Sequence, residues 1–158
     1  MTTLPLPQPP FIRRAVAYIT HGDRLLVFRH TQHPEAGIQV PGGTLEDGES
    51  PKEGVLREAF EETGLEGLQV QAYLGQNDLD LARYGKQGIV REFFFHLTFD
   101  GETPERWRHD ELEPSDGSPG PIEFELYWVR FPDEVPELAG VQGMMLNRLN
   151  VEDKCPKH

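Results

Sequence analysis

Residues 43 to 65 of the chain read GTLEDGESPKEGVLREAFEETGL, and this stretch decides the fold. Its middle carries the start and stop signals of an α-helix. Ser50 can cap the amino end, Pro51 suits the first helical position, and Glu53 completes an S-x-x-E capping box. Gly64 is typical of the residue just past the end of a helix. The stretch therefore predicts a helix that begins at Pro51 and ends before Gly64.

Acidic side chains are concentrated on one side of this predicted helix. Glu58, Glu61 and Glu62 fall within an arc of about 100°, because an α-helix turns by ~100° per residue. The neighbouring arc is apolar and suits packing against a sheet; it comprises Val55, Leu56, Ala59 and Phe60. Arg57 lies outside the acidic arc, where we expect it to pair with Glu49 and brace the structure. Carboxylates this close repel one another, so the pattern favours a bound divalent cation; a solvated acidic helix face is the alternative.

The spacing of the fixed residues matches a known motif. The pattern G-x5-E-x7-R-E-U-x-E-E-x-G-U, in which U is an apolar residue, is satisfied at every defined position between residues 43 and 65. A chance match of this kind is on the order of 10⁻⁶ in so short a chain. The chain thus resembles the Nudix hydrolases. That resemblance implies an α/β fold, namely a Nudix-like α/β/α sandwich in which helices flank a mixed β-sheet.

The resemblance also implies an activity, a cofactor and a set of site residues. The activity is divalent-metal-dependent hydrolysis of the diphosphate bond in a nucleoside diphosphate linked to another moiety, with Mg²⁺ or Mn²⁺ as the cofactor. The implied principal metal ligands are Glu58 and Glu62, with Glu61 as a direct or water-mediated ligand and the Gly42 carbonyl as a further one. The same three glutamates are the implied catalytic residues. Two alternatives stay open: a Nudix-like module that binds a nucleotide without hydrolysis, and a role in RNA end processing.

Several charged residues outside the motif are further candidates. In this family the proton acceptor comes from the motif or from a later strand or loop. Glu125 is a catalytic candidate because it shares a predicted strand face with Glu123. Arg14, Arg29 and Arg91 are substrate-binding candidates, since guanidinium groups bind phosphate oxygens with planar, bidentate geometry. Solvent exposure of the glutamates and surface ion pairing of the arginines are the alternatives.

The segment at residues 100–121 has a different character from its surroundings. It is crowded with Asp, Glu, Pro, Gly and Ser and is too long for an ordinary hairpin turn. It is either a functional loop or a disordered insert. Trp107 and His109 within it either contact the substrate or anchor the segment to the domain. We expect substrate selection to depend mainly on residues 77–121.

The rest of the chain predicts one domain, residues 11–150, between a Pro-rich arm at 1–10 and a polar tail at 151–158. Strand-forming runs rich in β-branched and aromatic residues occupy residues 11–20, 24–30, 38–40, 68–76, 89–99 and 122–131. A turn separates the first two runs and predicts a hairpin. After Pro136, apolar residues recur at helical spacing and predict a closing amphipathic helix; they are Leu138, Val141, Met145 and Leu149.

Composition limits the class of partner. The 158 residues include 15 Lys plus Arg and 27 Asp plus Glu, so the net charge is -12. This sign disfavours long nucleic acid and leaves a small nucleoside-diphosphate-type substrate held through cations. No apolar run approaches the ~20 residues of a membrane span, and residues 1–10 lack the features of a signal peptide. We therefore expect a cytoplasmic protein without a membrane partner, either a monomer or a homodimer.

Overall fold

A computed structural model describes residues 11–112 and 119–150 of the chain. Its seven strands are β1 Phe11–His21, β2 Arg24–His30, β3 Gly42–Thr44, β4 Gln69–Asp80, β5 Ile89–Thr98, β6 Arg106–Glu111 and β7 Ile122–Arg130. They form one sheet in the spatial order β4-β5-β1-β2-β7-β6, with β3 paired to β1. Strands β1 and β5 run parallel and the other pairs are antiparallel. The described residues contain one α-helix, α1 Pro51–Thr63, and three short 3-10 helices.

Alternating strand positions build a separate core on each face of the sheet. On β1, Ala15, Ala17 and Ile19 belong to the same apolar cluster as Val55 and Ala59 of α1. The intervening β1 residues belong to a second cluster, which residues 131–149 cover; it includes Val16, Tyr18, Leu138 and Met145. This two-faced packing of a mixed sheet confirms the predicted α/β sandwich.

A gap between β1 and β2 makes room for the site. The two strands pair as the predicted hairpin only at Thr20↔Leu25 and His21↔Arg24. Beyond these pairs they separate, and residues 38–44 fill the space between them. Gln39 forms an isolated bridge with Phe28, whereas β3 pairs with β1. The strand predicted at residues 38–40 is therefore reduced to isolated bridges, and regular pairing starts at Gly42.

The predicted closing helix is wrong. Residues after Pro136 form turns and a short 3-10 helix, Leu146–Arg148, instead of an amphipathic α-helix. Gly140 adopts a φ of 57°, in the left-handed region that interrupts a helix. The Tyr18 hydroxyl accepts a hydrogen bond from the Met145 N–H at 3.2 Å, which anchors the turns to the sheet. Helical spacing of the apolar residues thus reflects their packing on the sheet and not a helix.

The segment at 100–121 contains regular structure that its composition did not predict. Strand β6 pairs antiparallel with β7 along its whole length, so the described part of this segment is neither disordered nor simply a loop. Residues 113–118, the predicted arm at 1–10 and the predicted tail at 151–158 lie outside the described residues, so the domain bounds stay a prediction. Within the described ranges, no helix is long and apolar enough to cross a membrane.

Candidate active site

Helix α1 is fixed at both ends by the bonds that its sequence predicts. The Ser50 hydroxyl accepts a hydrogen bond from the Glu53 N–H at 3.2 Å, and the Glu53 carboxylate accepts one from the Ser50 N–H at 3.5 Å. At the other end Gly64 has a φ of 76°, and its N–H donates to the Phe60 carbonyl at 2.8 Å. These caps set the start of the helix and thereby which face each glutamate occupies.

Arg57 joins α1 to the loop that precedes it. Its guanidinium donates two hydrogen bonds to the Glu49 carboxylate, from Nε at 2.7 Å and from Nη2 at 2.9 Å. A third bond reaches the Thr44 carbonyl at 3.3 Å. The bonds from Arg57 are the largest cause of the lowered pKa of Glu49. Gly54 permits α1 to lie close to the preceding loop, because a Cβ there would lie 2.1 Å from Leu45 Cδ2. The predicted pairing of Arg57 with Glu49 is confirmed.

Three buried carboxylates meet where α1 approaches the end of β6. One ligand atom from each of Glu58, Glu62 and Glu111 lies within 4.8 Å of the other two. One Glu58 oxygen accepts a hydrogen bond from Arg57 Nη1 at 2.9 Å, whereas the other has no partner in the described part of the chain. Glu62 accepts a bond from the Gly42 N–H at 2.7 Å. We call Glu58, Glu62 and Glu111 the carboxylate cluster.

Burial makes Glu58 and Glu62 hard to ionise. It raises the pKa of Glu58 to about 7, with Arg57 opposing the rise. Burial also raises the pKa of Glu62 well above its usual range, and the charge of Glu111 raises it further. A divalent cation would offset the like charges and give the unpartnered Glu58 oxygen a ligand. The donor set, all oxygen and all carboxylate, therefore suits a hard divalent cation.

A cavity of about 110 Å³ opens beside the carboxylate cluster, in the gap between β1 and β2. Glu62 and Glu111 line it, as do Arg14 and the aromatic rings of Phe28 and Phe124. The centroids of the two rings are 4.6 Å apart. The cavity thus combines an acidic side, a guanidinium and an aromatic wall, a combination that suits a small anionic ligand held partly through a cation.

The comparison with protein families decides the assignment. A model described as the NUDIX domain matches residues 10–142, which is most of the chain. The chain belongs to the NUDIX domain family. It is accordingly a Nudix pyrophosphohydrolase, an enzyme that acts on acid anhydrides of phosphorus. The matched residues include the whole carboxylate cluster.

Solved structures share this Nudix fold. A MutT NUDIX hydrolase from Burkholderia pseudomallei is 23% identical with a TM-score of 0.59, and the match covers 89% of this chain and 99% of that chain. An ADP-ribose pyrophosphatase from Streptococcus suis is 17% identical with a TM-score of 0.58 and coverages of 93% and 94%. A bifunctional NMN adenylyltransferase/ADP ribose pyrophosphatase from Francisella tularensis is 18% identical with a TM-score of 0.55 and coverages of 95% and 44%. At these identities the likeness shows the fold alone.

Glu111 is the member of the carboxylate cluster that the sequence analysis missed. Two neighbours on β6 position it: Trp107 Nε1 donates to the Thr63 carbonyl at 3.0 Å, and His109 Nε2 lies 2.8 Å from the Glu61 carbonyl. Of the two roles predicted for Trp107 and His109, these contacts favour anchoring. They tie β6 to the end of α1. The signal in the sequence was the alternation of Trp107, His109 and Glu111, which the charged residues between them obscured.

The structure brings some of the predicted site residues together. Glu58 and Glu62 are in the cluster, Gly42 bonds to Glu62, and Arg14 lines the adjacent cavity. Glu61 is outside the cluster, with its side chain 36% exposed and paired with Arg57 at 3.1 Å. Whether Glu61 and the Gly42 carbonyl take part in metal binding stays a prediction.

The remaining predicted site residues form ion pairs away from the cavity. Glu125 pairs with Arg29 at 2.8 Å and with Arg106 at 3.4 Å. Arg91 pairs with Asp78 through two bonds of 2.8 and 2.9 Å. The prediction that Glu125 faces the site does not match this arrangement, since β7 directs alternate side chains to opposite faces and it is the neighbouring Phe that lines the cavity. Surface ion pairing, the alternative weighed for the arginines, describes Arg29 and Arg91.

Proposed function

We propose that this Nudix enzyme hydrolyses the diphosphate bond in a nucleoside diphosphate linked to another moiety, and that it uses Mg²⁺ or Mn²⁺. The observation that carries the proposal is the carboxylate cluster, whose ligand atoms lie within 4.8 Å of one another. Two of its members share a cavity with Arg14. Buried carboxylates beside a guanidinium suit a diphosphate that is held through a divalent cation.

The cation would be held by Glu58, Glu62 and Glu111, with Glu61 and the Gly42 carbonyl as the further ligands that the family resemblance implies. When bound, the cation neutralises charge on the diphosphate and lowers the pKa of the attacking water. A protein of the same fold, the bifunctional Francisella tularensis enzyme, was solved with AMP and a Mn ion, which supports this class of cofactor.

Residues of the chain bind the substrate and accept the proton. Arg14 donates one hydrogen bond, to Thr44 Oγ1 at 3.3 Å, and its other donors suit phosphate oxygens. The candidates for the proton acceptor are the glutamates that the family resemblance implies as catalytic, namely Glu58, Glu61 and Glu62, of which Glu58 and Glu62 belong to the carboxylate cluster. The water oxygen then bonds to one phosphorus as the bond from that phosphorus to the bridging oxygen breaks. Glu125 is left out, since Arg29 and Arg106 occupy its carboxylate.

Charge and cysteine content support a location and a partner for this enzyme. We propose a cytoplasmic enzyme whose partner is the small nucleotide itself. A net charge of -12 supports a substrate held through a cation over a long polyanion. The single cysteine fits a reducing compartment.

A substrate panel with metal control tests the proposal. The panel contains nucleoside diphosphate sugars, ADP-ribose, dinucleoside polyphosphates and nucleoside triphosphates, each assayed with Mg²⁺, with Mn²⁺ and with a chelator. We expect at least one diphosphate-linked substrate to be cleaved, and cleavage to stop in chelator while the circular dichroism spectrum is unchanged. Undiminished cleavage in chelator would contradict the cofactor, and activity restricted to triphosphates would contradict the substrate class.

A further inference from the structure

A fourth carboxylate lines the cavity and has no part in the proposed hydrolysis. Glu92 lies on β5, opposite Arg14 of β1 and Asn77 of β4 in the sheet register. It is only 8% exposed. Its Oε1 has no hydrogen-bond partner in the part of the chain that the structure describes. A buried carboxylate oxygen without a donor destabilises the folded protein unless a ligand supplies one.

Arg14 opposes the effect of burial on Glu92. Burial raises the pKa of Glu92, while the charge of Arg14 opposes that rise and favours the ionised carboxylate, which can only accept a hydrogen bond. Glu92 lines the same cavity as Arg14, Glu62 and Glu111. A ligand whose phosphates bind at Arg14 and the carboxylate cluster would therefore lie close to Glu92.

Two glutamines of the cavity wall are engaged in hydrogen bonds. Gln142 Oε1 accepts a hydrogen bond from the Val40 N–H at 2.8 Å, and Gln142 Nε2 donates to Gln39 Oε1 at 3.4 Å. The wall also includes the aromatic rings of Phe28 and Phe124. A volume of about 110 Å³ corresponds to roughly four water molecules at ~30 Å³ each. Flat rings stack well on such aromatic walls.

We propose that Glu92 selects the nucleobase of the substrate by accepting a hydrogen bond from an exocyclic amine at Oε1. This inference rests on the proposed function and names the class of base that the same site takes. Adenine and cytosine carry such an amine, whereas hypoxanthine and uracil carry a carbonyl oxygen at the corresponding position. A carbonyl oxygen facing Oε1 would bring two acceptors together without a proton between them. The enzyme therefore prefers amine-bearing bases.

Matched substrate pairs test the selection. ADP-glucose and IDP-glucose differ only in the base, where the 6-amine and bare N1 of adenine are replaced by the 6-carbonyl and N1–H of hypoxanthine, and CDP-glucose and UDP-glucose differ in the same way at position 4 and N3. We expect kcat/KM with Mg²⁺ to be at least about tenfold higher for the amine-bearing member of each pair, because a buried group left without its partner costs that much or more.

The variant Glu92→Gln provides the second arm of the test. An amide is close to the carboxyl in size but can donate to a carbonyl, so we expect it to reduce or reverse both preferences by about tenfold. Glu66→Gln, at an exposed position after α1, is the control and should keep both preferences. The wild-type comparison needs no variant, so it decides the matter even where Glu92→Gln fails to fold.

The outcomes separate this inference from the proposed function. Cleavage of all four sugars at equal kcat/KM, or preference for the carbonyl bases, would overturn the role of Glu92 and leave diphosphate hydrolysis in place. A wild-type preference that Glu92→Gln retains would also overturn it. Absence of metal-dependent cleavage for every sugar tested would instead reject both the proposed substrate class and the inference that depends on it.

Discussion

Replacing Glu58 with Gln should stabilise the protein in the presence of a chelator, although Glu58 is assigned to the active site. The change removes one buried charge and keeps the size of the side chain. Burial raises the pKa of Glu58 from 4.5 to about 7. Because the folded state holds the proton more tightly, stability is greatest below about pH 4.5 and falls as the pH rises toward 7. At pH 8 the cost is on the order of 3 kcal/mol, and at pH 5.5 about half of that.

The variant also weakens one favourable contact. The bond from Arg57 Nη1 to Glu58 is 2.9 Å long, and its effect is already contained in the pKa of about 7, because Arg57 opposes the rise. We therefore expect Glu58→Gln to be more stable than wild type by about 3 kcal/mol at pH 8 and by about half as much at pH 5.5. Both pH values lie above the sequence pI of about 4.8, so the protein carries a net negative charge, which favours solubility.

Urea unfolding in chelator at the two pH values measures this difference, with the fluorescence of Trp107 and Trp128 as the signal. Glu66→Gln is the matched surface control, and its free energy of unfolding should stay within about 0.5 kcal/mol of wild type at both pH values. The reasoning would be refuted by a Glu58→Gln protein that is less stable than wild type at pH 8, or by a stability difference that does not change with pH.

Three further substitutions test the helix and its surroundings. Glu62→Gln should leave the circular dichroism spectrum unchanged and reduce metal-dependent hydrolysis by at least about tenfold to a hundredfold, and a wild-type rate would contradict its assignment. Arg57→Ala should lower the free energy of unfolding by about 2 kcal/mol, because it breaks the two bonds to Glu49. The control is Arg108→Ala, at a side chain 61% exposed, which should cost less than about 0.5 kcal/mol. Ser50→Ala should cost about 1 kcal/mol through loss of the cap, measured by urea unfolding; a neutral effect would argue against the capping box.

The sequence predicted α1 and its surroundings well because the signals there are local. Ser50, Glu53 and Gly64 act within one turn of the residues they bond, so their effect can be deduced without the rest of the fold. The same holds for the strands whose apolar and β-branched residues are contiguous. The pairing of Arg57 with Glu49 spans only a few residues, and it too was predicted.

The parts of the site and fold that the sequence analysis missed or misplaced depend on contacts between residues that are distant in sequence. Glu111 reaches Glu58 and Glu62 only because β6 pairs with β7 and is anchored to the end of α1. Four of the six residues of its strand are charged, so composition indicated a loop. Glu125 was a candidate because strand alternation leaves open which face is buried, and only the sheet register shows it opposite Arg29. The turns after Pro136 were read as a helix because packing on a sheet imposed a similar spacing.

The affinity for Mn²⁺ of wild type, Glu111→Gln and Glu125→Gln, measured by electron paramagnetic resonance without substrate, tests the account most directly. We expect wild type to bind Mn²⁺, Glu111→Gln to bind it at least about tenfold more weakly, and Glu125→Gln to bind it as wild type does. Equal affinity in wild type and Glu111→Gln, or weakened binding in Glu125→Gln alone, would contradict the carboxylate cluster as the metal site.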